Sequence, residues 1–316
     1  GRGMNSGGRW MVDRRSRCLR MDVRPGHPCA GRERSLDCTR DHRHRVRTLP
    51  TMTAWREVTS EGPLVRSRWI FNCYVLDPAT SSPLVVDVGL PDHGRAVAAW
   101  WSDRLGDEPI PIVATHAHSD HVCGIPEVAG GHRTTVTMGL VAEAFEEGTT
   151  PPAPGPRAVA RIAPVMRSQP FEISALVESA RAPRVGYGID PRFRWPLDRP
   201  EFVRDGHRLG TDGEWEVIDT PGHVSESISL YNSSTRVLCT GDAVLSAYGR
   251  AWITPEICDE DAAAATEDRL RSLRVDVFLP GHGPPLVGRD LMASAASHRD
   301  AQGWIPTCRA RLRRRP

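Results

Sequence analysis

The sequence contains no lysine, so all 41 of its basic residues are arginine. Together with the alanine, glycine and proline content, this absence indicates a GC-rich coding sequence, and arginine-rich stretches are therefore not interpreted as basic motifs. No apolar run reaches the roughly 18 residues that a membrane-spanning helix needs. No two of the eight cysteines have the CxxC spacing of a zinc ribbon. We therefore expect no membrane segment, and the scattered cysteines favour a reducing cytoplasm.

Positive charge is concentrated at the start of the chain. Residues 1–50 contain 13 arginines and 5 acidic residues, whereas the remaining 266 residues contain 28 arginines and 34 acidic residues and are net −6. A negative body gives no electrostatic reason to expect a nucleic-acid partner. Residues 1–51 show no periodicity, and we interpret them as a disordered leader or as upstream translated sequence ahead of a start near Met52. Residues 296–316 are interpreted as a basic tail.

Between these ends, the apolar pattern predicts alternating strands and helices. Strands are predicted at 69–76, 84–88, 110–114, 215–220, 228–231, 236–240 and 275–279, and helices at 93–105, 136–145 and 259–273. Two strand-rich halves with interleaved helices predict one α+β domain over residues 52–295, with two sheets covered by helices. Residues 148–200 interrupt the pattern and are rich in proline and arginine. They are interpreted either as a lid that contacts substrate or as a surface excursion with no role.

Four polar side chains crowd into one seven-residue run after a predicted strand: His116, His118, Asp120 and His121. Such a cluster is costly to bury unless a cation or a hydrogen-bond network satisfies it. Neutral imidazole and carboxylate oxygen are both good ligands for Zn²⁺ or Fe²⁺. His116 and His118 point the same way in an extended loop, because side chains two residues apart share a face. The run therefore predicts a metal site.

Further polar residues lie at the ends of other predicted strands. His223, Asp242 and His282 each follow a glycine, and Asp87 lies near the end of strand 84–88. Taken singly, each is weak, because a lone histidine at a turn is more often a surface or hydrogen-bonded residue and Gly-Asp is an ordinary turn pair. Only the complete ordered set is specific.

That ordered set resembles the metallo-β-lactamase superfamily, whose five motifs are present in order over residues 69–287. The resemblance implies an αββα sandwich with the metal site at one edge, between the two sheets. It also implies a role for each residue of the set. His116, His118 and His223 would hold a first metal; Asp120, His121 and His282 would hold a second; Asp242 would bridge the two; and Asp87 would orient the ligand-bearing loops.

The resemblance further implies two Zn²⁺ ions as cofactors, with Fe or Mn as alternatives, and a metal-bridging hydroxide as nucleophile, positioned by Asp120 as the catalytic residue. The substrate class implied is a small ester, thioester or lactone, since the end of the motif set is similar to the glyoxalase II-like branch. Asp242 argues against a native β-lactamase, because zinc β-lactamases generally lack this carboxylate. A mononuclear iron persulfide dioxygenase-like enzyme, an RNA or phosphodiester hydrolase and a non-catalytic binding member remain alternatives.

Substrate contacts are predicted outside the motifs. Tyr187, Arg192 and Trp195 lie in segment 148–200, while Tyr248 and Trp252 follow Asp242 at short distance and have a core role as an equal alternative. The expected partner is a small molecule, with no nucleic acid and no membrane. The sequence makes no prediction of oligomeric state.

Overall fold

The structure of the protein, a computed structural model, describes residues 54–198 and 200–299. The predicted leader 1–51, and the predicted tail beyond residue 299, lie outside these residues. The start of the predicted tail is described, and there Ala296 and His298 are buried. None of the helices in the described part of the chain is long and apolar enough to cross a membrane.

A first sheet of seven strands follows the order of the chain. Its strands are β1 (Arg56–Glu57), β2 (Leu64–Arg68), β3 (Phe71–Leu76), β4 (Leu84–Val86), β5 (Ile110–Val113), β6 (Thr134–Gly139) and β7 (Glu201–Val203). The pairs from β1 to β4 are antiparallel, and those from β4 to β7 are parallel. Parallel strands need crossover connections. These are α1 (Pro91–Leu105) between β4 and β5, and α2 (Ser119–Val122) and α3 (Ile125–Ala129) between β5 and β6.

The connection between β6 and β7 is much longer and contains the whole of segment 148–200. It begins with a 3₁₀ helix, Leu140–Ala144, and then forms α4 (Pro156–Val159), a 3₁₀ turn (Ala160–Ile162), α5 (Ala163–Arg167) and α6 (Ile173–Arg181). The segment predicted as a lid or surface excursion therefore contains several short helices.

A second sheet contains six strands in the order β15-β14-β11-β10-β9-β8. In chain order these are β8 (Arg208–Leu209), β9 (Trp215–Asp219), β10 (Ile228–Asn232) and β11 (Val237–Gly241), followed later by β14 (Val277–Pro280) and β15 (Leu286–Val287). Between β11 and β14 lie a hairpin, β12 (Val244–Ala247) and β13 (Arg250–Ile253), and helix α7 (Glu260–Arg271).

The two sheets pack face to face, with helices outside. Alternate residues of β3 show this: Tyr74 and Leu76 belong to the apolar layer between the sheets, while Cys73 and Val75 pack in the layer that contains the α1 side chains. On the far side, Leu270 of α7 packs in a third layer on the second sheet. The order of layers is helix, sheet, sheet, helix, which confirms the α+β fold class and the αββα sandwich.

One predicted element is wrong. Residues predicted as a helix at 136–145 instead form the end of β6 and the 3₁₀ helix that follows it. The run Thr134, Thr135, Val136 and Thr137 is β-branched and favours extended backbone. The helix predicted at 259–273 is confirmed as α7, whose N-cap Asp259 accepts hydrogen bonds from the backbone of its first turn.

A network of charges ties the long connection to the core. Arg68 of β2 contacts Asp92 of α1 at 2.9 Å and Glu172, just before α6, at 2.6 Å. Arg66 contacts the same Asp92 at 2.6 Å, and the carboxylate of Glu178 in α6 accepts a hydrogen bond from the Asp92 backbone N–H at 2.7 Å. Because Arg66 and Arg68 are buried, loss of a partner carboxylate would leave a buried charge without compensation.

Candidate metal centre

The seven residues predicted as metal ligands lie together at one edge of the sandwich, on loops that leave the ends of strands in both sheets. Six of the seven are buried, whereas the Asp120 side chain is 27% exposed. His116 and His118 follow β5, Asp120 and His121 lie in α2, His223 follows β9, Asp242 follows β11, and His282 follows β14.

Asp87 fixes the loop that carries the first four of these residues. Its carboxylate accepts hydrogen bonds from the backbone N–H of Thr115 at 2.8 Å and from the Thr115 hydroxyl at 2.9 Å. The same carboxylate lies 2.8 Å from Nδ1 of His121. Asp87 adopts a left-handed backbone conformation with φ of 53°, which aspartate tolerates better than most residues. The orienting role implied for Asp87 agrees with these contacts.

The first ligand group consists of His116, His118, His223 and Asp242. Nε2 of His116 lies 3.1 Å from Nδ1 of His118, and Nε2 of His223 lies 3.2 Å from the same atom. Zn–N bonds of about 2.0–2.1 Å in tetrahedral geometry place two nitrogen ligands about 3.4 Å apart. The three ring nitrogens therefore converge at nearly the separation that one metal ion requires.

The second ligand group consists of Asp120, His121 and His282. Nε2 of His282 lies 3.2 Å from Oδ2 of Asp120 and 3.2 Å from Oδ2 of Asp242. Oδ1 of Asp242 lies 3.4 Å from Nε2 of His121, and its Oδ2 lies 3.6 Å from Nε2 of His223. Asp242 therefore contacts both groups, as expected of a carboxylate that bridges two metal ions.

The histidines of the first group are uncharged at neutral pH. Burial lowers the pKa of His116 and His223, and it lowers the pKa of His118 to about 3. Burial disfavours the charged imidazolium, and the neighbouring rings add to that effect in His116 and His118. Neutral nitrogens that face one another repel through their lone pairs unless a proton or cation lies between them.

In the second group, neighbouring carboxylates control the pKa values of the histidines. Burial by itself would lower the pKa of His121, but the charges of Asp242 and Asp87 outweigh burial and raise it to about 10. The same competition, with Asp242 and Asp120 as partners, raises the pKa of His282. Both carboxylates that touch His282 keep a pKa below the usual range despite their burial, because the histidines favour the ionised form.

Several outward-facing nitrogens are held by groups that the sequence did not point to. Nδ1 of His223 lies 2.6 Å from the backbone oxygen of Glu256, and Nδ1 of His282 lies 3.1 Å from the backbone oxygen of Ile70. Such outer contacts fix the tautomer and orientation of a ligand ring. Burial also raises the pKa of the Glu256 carboxyl to about 8, and the nearby Asp242 charge adds to the effect.

Two of the buried atoms that face the centre, Nε2 of His121 and Oδ1 of Asp242, have no hydrogen-bond partner within the described part of the chain. Buried polar atoms are rarely left unpaired, so each calls for an explanation. A divalent cation between the groups would satisfy both atoms and would relieve the repulsion among the facing nitrogens. The donor set, all imidazole nitrogen and carboxylate oxygen, fits such ions.

The profile described as the metallo-beta-lactamase superfamily matches residues 68–282. The chain belongs to this superfamily. Probable metallo-hydrolase YflN of Bacillus subtilis (strain 168) is 26% identical over 230 residues, which cover 66% of this chain and 77% of the relative. Acyl-coenzyme A thioesterase MBLAC2 of Gallus gallus is 28% identical over 214 residues, 63% of this chain and 68% of the relative. The chain is thus an enzyme of the metal-dependent hydrolase type.

Structural similarity agrees with this assignment. A beta-lactamase domain protein from Burkholderia ambifaria has a TM-score of 0.51 and 20% sequence identity to this chain. The match covers 78% of this chain and 74% of that protein, and it shows that the two share the superfamily fold.

The five predicted substrate contacts lie in different surroundings, and their role in binding substrate stays a prediction. Arg192 and Tyr248 are exposed, and Trp195 is half-buried against Phe193. Trp252 is fully buried in an apolar cluster, which is its alternative role as a core residue. Tyr187 is 1% exposed, and its ring packs against the ring of His118.

Proposed function

We propose that this protein is a dinuclear metal-dependent hydrolase that acts on a small ester, thioester or lactone. The observation that carries the proposal is the pair of buried ligand groups, joined by the single carboxylate of Asp242. Two sets of donors that share one bridging carboxylate are the arrangement of two-metal hydrolytic sites. Two Zn²⁺ ions fit the nitrogen-rich donor set, with Fe or Mn as alternatives.

Metal ions bound there would lower the pKa of water towards neutrality and would polarise the oxygen of the substrate carbonyl. The chain's own residues supply the geometry. Asp120 is the ligand that is partly exposed, and its low pKa keeps it ionised. It therefore accepts a hydrogen bond from the attacking water and orients it, while His282 holds the Asp120 carboxylate from the buried side at 3.2 Å.

The substrate class is supported by chemistry and by similarity. Hydrolysis at such a site needs no serine or cysteine nucleophile. The substrate must supply a carbonyl and a leaving group, and esters, thioesters and lactones all supply both. The chicken relative is an acyl-coenzyme A thioesterase by name, which favours the thioester among these three.

Three of the four cysteines among the described residues are buried and all four are free, in keeping with the proposed reducing cytoplasm.

The proposal is tested with purified full-length protein and a panel of esters, thioesters, lactones and phosphodiesters. We expect hydrolysis of at least one ester, thioester or lactone, loss of that activity on chelation, and recovery on adding Zn²⁺, Mn²⁺ or Fe²⁺. The double variant Asp120→Ala/His223→Ala should be inactive. Full activity in that variant would overturn the proposal, as would one iron per chain with oxygen consumption on glutathione persulfide.

A further inference from the structure

Tyr187 lies in the long connection between β6 and β7, and its backbone is hydrogen-bonded to the loop that carries His116 and His118. Its N–H donates to the carbonyl of Ala117 at 3.0 Å, and its carbonyl accepts from the N–H of Ser119 at 2.8 Å. The two hydrogen bonds are therefore made to the residues immediately before and after His118. The approach is close enough to require glycine at position 186, where φ is 68° and a Cβ would lie 2.4 Å from the Ala117 oxygen.

The Tyr187 side chain then packs on His118 itself. The two rings meet edge to face with centroids 4.7 Å apart. The Tyr187 hydroxyl donates a hydrogen bond of 2.6 Å to Oε1 of Glu226. Tyr187 is 1% exposed and Glu226 is 2% exposed, so neither polar group has ready access to water. Their mutual bond therefore fixes the plane of the ring that supports His118.

Glu226 connects this support to the other loop of the first ligand group. It lies three residues after His223, and its Oε1 accepts a hydrogen bond of 3.5 Å from the backbone N–H of Ala117, between His116 and His118. One buried carboxylate therefore contacts both the loop that carries two of the histidines and the residue that supports one of them. A buried carboxylate is costly unless it is hydrogen-bonded or paired, and the Glu226 carboxylate meets this requirement through Tyr187 and Ala117.

His118 differs from the other predicted ligand histidines in its outward nitrogen. Among the described residues, Nε2 of His118 is buried without a hydrogen-bond partner. The outward Nδ1 atoms of the other four are within hydrogen-bond distance of an oxygen; their partners are Thr115 Oγ1 for His116, Asp87 for His121, Glu256 O for His223 and Ile70 O for His282. Ring orientation at His118 must therefore come from packing, and the Tyr187 ring provides it.

We propose that Tyr187 and Glu226 are positioning residues for the first ligand group, with Glu226 fixing Tyr187 and Tyr187 fixing the ring of His118. The proposal rests on the metal centre described above. In this proposal Tyr187 contacts a metal-binding histidine and not the substrate. Part of segment 148–200 then belongs to the metal centre.

The test measures the Zn²⁺ dissociation constant of each bound equivalent, by competition with a chromophoric chelator, in metal-free protein. Loss of outer contacts to a metal ligand typically weakens metal binding about 10–100-fold. We expect Tyr187→Phe to weaken one equivalent about tenfold, because the ring remains but loses its anchor, and Tyr187→Leu to weaken it about 100-fold. A His282→Ala background, which leaves only the first group complete, should show the same loss in its single equivalent.

Two further variants distinguish positioning from general stability. Glu226→Gln keeps an acceptor oxygen for the Tyr187 hydroxyl and should bind Zn²⁺ more tightly than Glu226→Ala. Tyr231→Phe is the matched control, since the partly buried Tyr231 hydroxyl donates to the backbone oxygen of Arg274, away from the centre. It should leave both dissociation constants unchanged.

The proposal is overturned if folded Tyr187→Phe and Tyr187→Leu both bind Zn²⁺ within twofold of the unsubstituted protein. It is also overturned if Tyr231→Phe weakens binding as much as Tyr187→Phe does. An unsubstituted protein that binds none of Zn²⁺, Mn²⁺ and Fe²⁺ would instead contradict the proposed function, so the two failures are distinguishable.

Discussion

The two ligand groups are built on different physical principles, although they lie side by side. The first brings three neutral imidazoles together, with ring nitrogens 3.1–3.2 Å apart. The second sets two histidines of raised pKa against the carboxylates of Asp120 and Asp242. The first is therefore a pocket shaped by packing, whereas the second is stabilised by opposite charges.

The two groups also differ in exposure and in what supports them. The first group is entirely buried and is contacted by the long connection through Tyr187. The second is supported by Asp87 and by the backbone oxygen of Ile70, and it includes Asp120, the ligand with the most exposed side chain. In the proposed function, the buried group would therefore bind its metal ion more tightly, and the second group would face the incoming water and substrate.

Asp242→Ala should have the largest effect, because it removes the one side chain that both groups share. We expect both Zn²⁺ equivalents to weaken and kcat/KM to fall by more than about 100-fold, beyond the usual cost of losing an outer contact. Metal content after dialysis and steady-state kinetics measure this. Retention of two tightly bound equivalents would show that Asp242 does not bridge the groups.

Asp87→Asn should weaken binding about 10–100-fold, since it removes the ionised partner of His121 while keeping a similar shape. The Zn²⁺ equivalent that binds more weakly should be the one that His282→Ala removes. The reason is that Asp87 contacts His121 directly and His116 only through Thr115. Asp276→Asn, on the exposed pair with Arg236, is the control. Equal weakening of both equivalents would contradict the separate support of the two groups.

Lowering the pH should separate the groups further. Above about pH 4 His118 binds no proton, because its pKa is about 3, so protons do not compete with metal there. His121 has a pKa of about 10 and must release a proton to bind metal at any lower pH. The pKa of His282 is raised as well, so Zn²⁺ binding at the second group should weaken by at least about tenfold more per pH unit than binding at the first group between about pH 8 and pH 5. Zn²⁺ titrations at several pH values measure this. The same change of dissociation constant with pH for both equivalents would contradict the prediction.

Asp92→Asn should have the smallest effect on the metals and act on stability instead. The charges of Arg66 and Arg68 lower the pKa of Asp92 despite its partial burial. Its ionised form therefore stabilises the fold above its unfolded-state pKa, and this contribution is lost as the pH falls through the folded-state pKa. We expect the free energy of unfolding at neutral pH to fall by about 1–2 kcal/mol, less than for a fully buried pair, because the side chain is 19% exposed. Denaturant titration checks this, and a changed Zn²⁺ affinity would show coupling to the centre.

The residues of the two groups could be predicted from the sequence because their complete ordered set, at the ends of predicted strands, resembles that of a known superfamily. The residues that orient them could not, because those contacts depend on packing between distant parts of the chain. Glu226 and Tyr187 are 39 residues apart, and their bond appears only once the long connection has folded back. Ile70 acts through a backbone oxygen, which carries no sequence signal. The β-branched run in β6 did carry one, and it favoured the strand that was missed.

The most direct test of the two-group account is a Zn²⁺ titration of metal-free protein, with the bound metal counted per chain. The account predicts two equivalents for the unsubstituted protein and one for His282→Ala, with the remaining one sensitive to Tyr187→Phe. A single equivalent in the unsubstituted protein, or two in His282→Ala, would contradict it.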